Sequence, residues 1–141
     1  MSDYAPHPGK CVLYDTLEQV THAMRWRKSA AELGMMRESA EITTEAFKCV
    51  MRAFGPGSNE ADISALFEFL CHSQGADRMP YPQVVAGGNS ACTIHYSRNN
   101  RKVFDGELLL MDAGCDFHGY VSDVTRTWPI GGRFTPPQRE V

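Results

Sequence analysis

The chain has 141 residues, 43% of them hydrophobic and 22% charged, which suits one ordinary domain and argues against disorder or a low-complexity fibre. Its net charge is −3 and its 14 Lys and Arg are scattered, so neither a phosphate-neutralising face nor a nucleic-acid partner is expected. Five cysteines at wide spacings, with no C-x-x-C pair, speak against a disulfide framework and a structural zinc site, and no apolar run approaches the ~18 residues that a membrane span needs.

Residues 1–15 are expected to form an irregular lead-in, because the first ten hold two prolines and a glycine and lack apolar periodicity. They show neither the apolar stretch of a signal peptide nor the Arg-rich pattern of a transit peptide, so no targeting segment is expected in this chain. Thr16 with Gln19 has capping-box form, and Leu17, Val20 and Met24 follow at helical spacing. Ser29 with Glu32 repeats the signal, and Leu33, Met36, Ala40, Phe47, Val50, Met51 and Phe54 trace an apolar stripe that stops at Gly55-Pro56-Gly57. Ser58 or Asn59 can cap a third helix, in which Ile63, Leu66, Phe67 and Leu70 share a face that ends before Gly75.

Beyond Gly75 the helical period disappears, and short β-rich runs alternate with Pro, Gly and Asn. Strands are expected over residues 83–86, 92–96, 107–111 and 120–128, with turns at Gly87-Gly88-Asn89, at Asn99-Asn100 and over residues 116–119. Three helices followed by a mostly antiparallel sheet make an α+β fold.

The chemistry concentrates in two carboxylates. A hairpin turn centred between Phe117 and His118 sets Asp112 opposite Asp123 on one face, with Cβ atoms roughly 4.5–5.5 Å apart. Two such carboxylates repel each other within strands rich in Leu108, Leu109, Leu110, Met111 and Val121, and a divalent cation neutralises them well because carboxylate oxygens are hard ligands. The plainer alternative pairs Asp123 with Arg126 and lets Asp112 cap the turn through Gly114. A register slip of one residue would also separate the two side chains onto opposite faces. His95 stands at the end of a short run, able to donate a proton, to hydrogen-bond a carbonyl or simply to pack against backbone. Gly87-Gly88-Asn89 lacks the Lys-Ser/Thr of a phosphate loop, and no Ser or Cys has a plausible base partner for nucleophilic catalysis.

Arg27-Lys28-Ser29 with Ala31-Glu32, Val85-Ala86-Gly87-Gly88-Asn89, His95-Tyr96, Asp105-Gly106-Glu107, Met111-Asp112-Ala113-Gly114-Cys115 and Ser122-Asp123-Val124-Thr125-Arg126-Thr127-Trp128 together resemble aminopeptidase P, in order and in interval. The Val-Ala-Gly-Gly-Asn segment and the Asn99-Asn100 pair are most similar to the mitochondrial type within that group. The resemblance runs from about Met24 to the last residue. It implies the pita-bread fold, two similar α+β halves around a pair of divalent ions, usually manganese. It also implies peptide substrates with proline at the second position, hydrolysed by a water that the two ions activate. Asp112 matches the family carboxylate that chelates one ion, Asp123 the carboxylate that bridges both, and His95 a substrate-side histidine that is not a ligand.

The same resemblance implies three further ligands, a histidine and two glutamates, from a second half that would follow Val141. Residues 16–141 are thus expected to be the N-terminal half of a pita-bread catalytic domain, a fragment inactive alone, from a cytoplasmic or mitochondrial enzyme that can form a homo-oligomer. The rival expectation is a non-catalytic truncated isoform or binding module that acts through a protein partner. A methionine aminopeptidase relative fits less well, because the two Asn-containing segments resemble the proline-specific branch.

Overall fold

The structure is a computed structural model that describes the backbone of residues 11–140 and side chains from Leu17 onward. The lead-in expected over residues 1–10 lies outside the described residues. Helix α1 spans Cys11–Trp26, so it starts five residues before Thr16 and takes in the end of the expected lead-in. Thr16 is therefore an interior helical residue. Helix α2 covers Ala30–Ala53 and α3 covers Glu60–Ser73. The chain divides into two compact units between Leu33 and Gly34.

The start of α2 is capped as its sequence requires: Ser29 N–H donates to Glu32 Oε2 at 2.6 Å, and Glu32 N–H donates to Ser29 Oγ at 3.3 Å. Asn59 caps α3, its Oδ1 accepting from Ala61 N–H at 2.9 Å. The buried face of α2 differs from the expected stripe. Leu33, Met36 and Ala40 are exposed, and Ser39, Ile42, Thr43, Ala46, Phe47 and Val50 are buried. Two hydroxyls enter the core because each finds a partner there. Ser39 Oγ donates to the Cys115 carbonyl at 2.9 Å, and Thr43 Oγ1 lies 2.6 Å from Ser122 Oγ.

Five strands follow: β1 (Val84–Gly87), β2 (Leu108–Ala113), β3 (Asp116–Phe117), β4 (Tyr120–Val121) and β5 (Val124–Pro129). The first, second and fifth form an antiparallel sheet in the order β1-β2-β5, and β3 pairs with β4 in a hairpin. The strand expected over residues 92–96 is absent. A 3₁₀ turn occupies Gly88–Cys92, and a turn with His95 in the left-handed region (φ 53°) follows it. The β-prone side chains of this run had no neighbouring strand to pair with, and pairing context decides strand formation.

Alternation along β2 separates two environments. Leu109, Met111 and Ala113 are fully buried, whereas Leu108, Leu110 and Asp112 are half-buried on the other face. The buried face joins Val85, Ile63, Phe67 and Phe47 in one core, where the Phe47 and Phe67 rings meet edge to face with centroids 5.3 Å apart. Asp112 thus points away from the helices, onto the sheet's less covered face.

Candidate metal centre

The hairpin turn falls one residue later than expected. His118 and Gly119 both have positive φ (52° and 85°), the pattern of a two-residue type I′ connection, and Phe117 pairs with Tyr120. Moving the turn by one residue shifts the register by two, so Asp112 faces Thr125 instead of Asp123. A shift of two preserves the face of every side chain. Counting on in the same register sets Asp123 against Gly114, diagonal to Asp112.

Gly114 makes that approach possible. A Cβ built there would lie 1.8 Å from the Ser122 carbonyl oxygen, a separation no pair of unbonded heavy atoms tolerates. Cys115 N–H donates to Ser122 Oγ, and Ser122 N–H donates to the Cys115 carbonyl, both at 3.0 Å. These bonds fasten the backbone on either side of the contact.

The two carboxylates are joined by a residue that sequence reasoning did not single out. The Tyr81 hydroxyl lies 2.9 Å from Asp112 Oδ1 and 3.0 Å from Asp123 Oδ1, which puts those oxygens at most about 6 Å apart. A phenol has one proton, so it fully satisfies one acceptor or is shared between two. Burial, then the bonds to Asp112 and Asp123, push the Tyr81 hydroxyl well above its ordinary pKa and keep it a donor. Tyr81 stands between Pro80 and Pro82, and the ring of Pro82 disfavours the helical region for its backbone. That was the available signal, and it does not say where the ring points.

The plainer alternative is not what forms. Arg126 directs Nη1 to its neighbour's carbonyl, Thr125 O, at 2.7 Å, and among the described residues neither Asp112 nor Asp123 belongs to an ion pair. A pocket of about 450 Å³ is lined by Tyr81, Pro82, Val84, His95, Ser97, Asp112 and Asp123. The three residues singled out from sequence therefore share one pocket, with His95 exposed at its side. Carboxylate oxygens without a cationic partner are donors that suit a hard divalent ion. Among the described residues no third His, Cys, Asp or Glu joins them in a cluster that could hold a metal ion.

Residues 34–141 match the profile of Metallopeptidase family M24. The chain is 46% identical over 126 residues to Xaa-Pro aminopeptidase 3 of Mus musculus, covering 89% of this chain and 25% of the relative. It is 48% identical to Intermediate cleaving peptidase 55, mitochondrial, of Arabidopsis thaliana, covering 89% and 26%. The fold matches Pseudomonas aeruginosa aminopeptidase PepP with a TM-score of 0.84 at 40% identity, covering 86% of this chain and 28% of that one. It matches zinc-substituted Escherichia coli aminopeptidase P in complex with product at 0.83 and 38%, with the same coverage. The chain spans about a quarter of the length of the curated relatives it matches. Its α+β fold matches solved structures of pita-bread aminopeptidases, and the chain belongs to metallopeptidase family M24.

Proposed function

We propose that this chain supplies the first half of the catalytic domain of an Xaa-Pro aminopeptidase, which removes the N-terminal residue of peptides with proline in second position. The observation that carries the reading is the convergence of Asp112, Asp123 and His95 on one pocket, with both carboxylates sharing the Tyr81 hydroxyl. The names of the curated relatives support the substrate class.

In this reading Asp112 and Asp123 hold two divalent ions, manganese in the cell, together with ligands from beyond residue 141. When bound, such ions polarise the scissile carbonyl and lower the pKa of the attacking water. The residues of this chain do the positioning. Asp123 reaches across from the Gly114 contact, Asp112 is held by its strand, and Tyr81 donates to both and limits their movement. His95 offers an imidazole N–H to the substrate near the scissile peptide and is not a ligand. Residues 16–141 form the half-domain, a fragment of a longer enzyme of the cytoplasm or mitochondrion that can assemble with its own copies.

The test uses the complete protein. It should cleave an Xaa-Pro peptide in preference to a Met-Ala peptide, carry two equivalents of divalent metal, and lose both metal and activity on Asp123→Ala. A protein that binds no metal would instead favour a non-catalytic partner-binding module, the reading suggested by a cluster of two carboxylates and no third ligand among the described residues.

A further inference from the structure

His95 has a left-handed backbone (φ 53°) without being glycine, a conformation that persists only when its surroundings impose it. The residues after it show what does so. Tyr96 Oη donates to Glu60 Oε2 at 2.8 Å, and Glu60 also accepts from Arg101 N–H and from Gly87 N–H, each at 2.9 Å. Asn99, itself left-handed (φ 42°), donates to the Gln83 carbonyl at 2.8 Å and accepts from Val85 N–H at 3.0 Å, so its amide covers the outer edge of β1.

Glu60 is fully buried and belongs to no ion pair among the described residues. A carboxylate in the core is costly unless its oxygens are filled, and here three donors fill them at the first turn of α3, where the helix dipole favours negative charge. A side chain whose role is to occupy volume in a core needs no charge. The three donors come from the end of β1, from the neighbour of His95 and from the start of the return to β2. Val84 of that same β1 pairs with Asp112. One carboxylate therefore ties the segment carrying His95 to the strand alongside Asp112.

We propose that Glu60, acting through the Tyr96 hydroxyl, is a positioning residue for His95 that fixes the imidazole beside the Asp112–Asp123 pair. The inference rests on the reading of the pocket given above. Its test is a double-mutant cycle in the complete, metal-loaded protein. Tyr96→Phe removes one hydroxyl and leaves Glu60 bonded to Gly87 and Arg101, so metal content and thermal midpoint should stay close to wild type. kcat/KM on an Xaa-Pro peptide should fall about tenfold, the lower end of the scale for losing an outer positioning contact. In a His95→Ala background the same substitution should change it less than about twofold, because its effect runs through the imidazole.

Equal losses in both backgrounds, or no loss beside intact His95, would overturn the proposal. Glu60→Gln puts an amide N–H against a donor, and it should show the same dependence on His95 if it folds; if it does not fold, the Tyr96→Phe cycle decides. Should the complete protein cleave no Xaa-Pro peptide, the functional reading falls separately. The imidazole NMR signals then decide: Tyr96→Phe should shift those of His95 and spare those of His118, which sits in the β3–β4 turn against Asp77, and an unmoved His95 would refute the positioning.

Discussion

Tyr81 sets one proton between two carboxylate oxygens, and that shortage defines the residue-scale chemistry of the pocket. The hydroxyl orients both side chains, and outer contacts of this kind tune metal affinity. Tyr81→Phe should weaken metal binding by the complete protein about tenfold with little loss of fold, measured by calorimetric titration with manganese. Unchanged affinity would mean that the strands alone orient the carboxylates. A second residue-scale prediction concerns Glu107, which accepts from Arg101 Nη1 and from Phe104 N–H at 2.9 and 2.8 Å. The bond to Arg101, helped by the Phe104 amide, holds the Glu107 carboxyl below its ordinary 4.5. A carboxyl with a lowered folded pKa stabilises the fold above that ordinary value, and the contribution fades as pH falls through the folded one. Wild type should therefore lose stability below about pH 4.5 faster than Glu107→Gln, as urea midpoints across pH 3–6 would show.

At the scale of elements, the site depends on how closely two chain segments can pass. Gly114→Ala puts a methyl where the Ser122 carbonyl already stands, so the β2 and β5 segments must part. The cost should be about 3 kcal/mol or more, read as a lowered urea midpoint and accompanied by loss of metal binding. A stable, metal-competent Gly114→Ala would show that the approach is not needed. The same contact explains what the sequence made legible. The face shared by Asp112 and Asp123 could be read from spacing, because β parity survives an error of two residues. Their register could not, since it turned on which of two adjacent residues begins a turn, and His118 adopts a left-handed conformation more typical of Gly or Asn. The α2 stripe failed for a related reason. Ser39 and Thr43 bury hydroxyls whose partners lie more than 70 residues away, at Cys115 and Ser122, and local periodicity carries no trace of such partners. Tyr81 and Glu60 were missed likewise, because each acts through contacts across the fold.

For the whole molecule, the open face of the sheet and the free edge of β5 set the terms. Asp112 and Leu110 share that face with Thr125 and Thr127, and β5 pairs only with β2 among the described residues. An uncovered face beside an unpaired strand edge favours association with another chain. On the proposed reading the ligand count points the same way, because two carboxylates would leave most positions on two ions to water, and weakly held metal neither polarises a carbonyl nor acidifies a water dependably. The 141-residue chain purified alone should therefore be inactive on Xaa-Pro peptides even with excess manganese, and should associate in sedimentation experiments. On the proposed reading the complete protein should be active and should lose activity on Asp123→Ala more severely than on Asp112→Ala, because a carboxylate that bridged two ions would disturb both when removed. Rapid proline-specific turnover by the isolated, monomeric chain would overturn this argument, and the missing ligands would then have to be found among residues assigned here to packing.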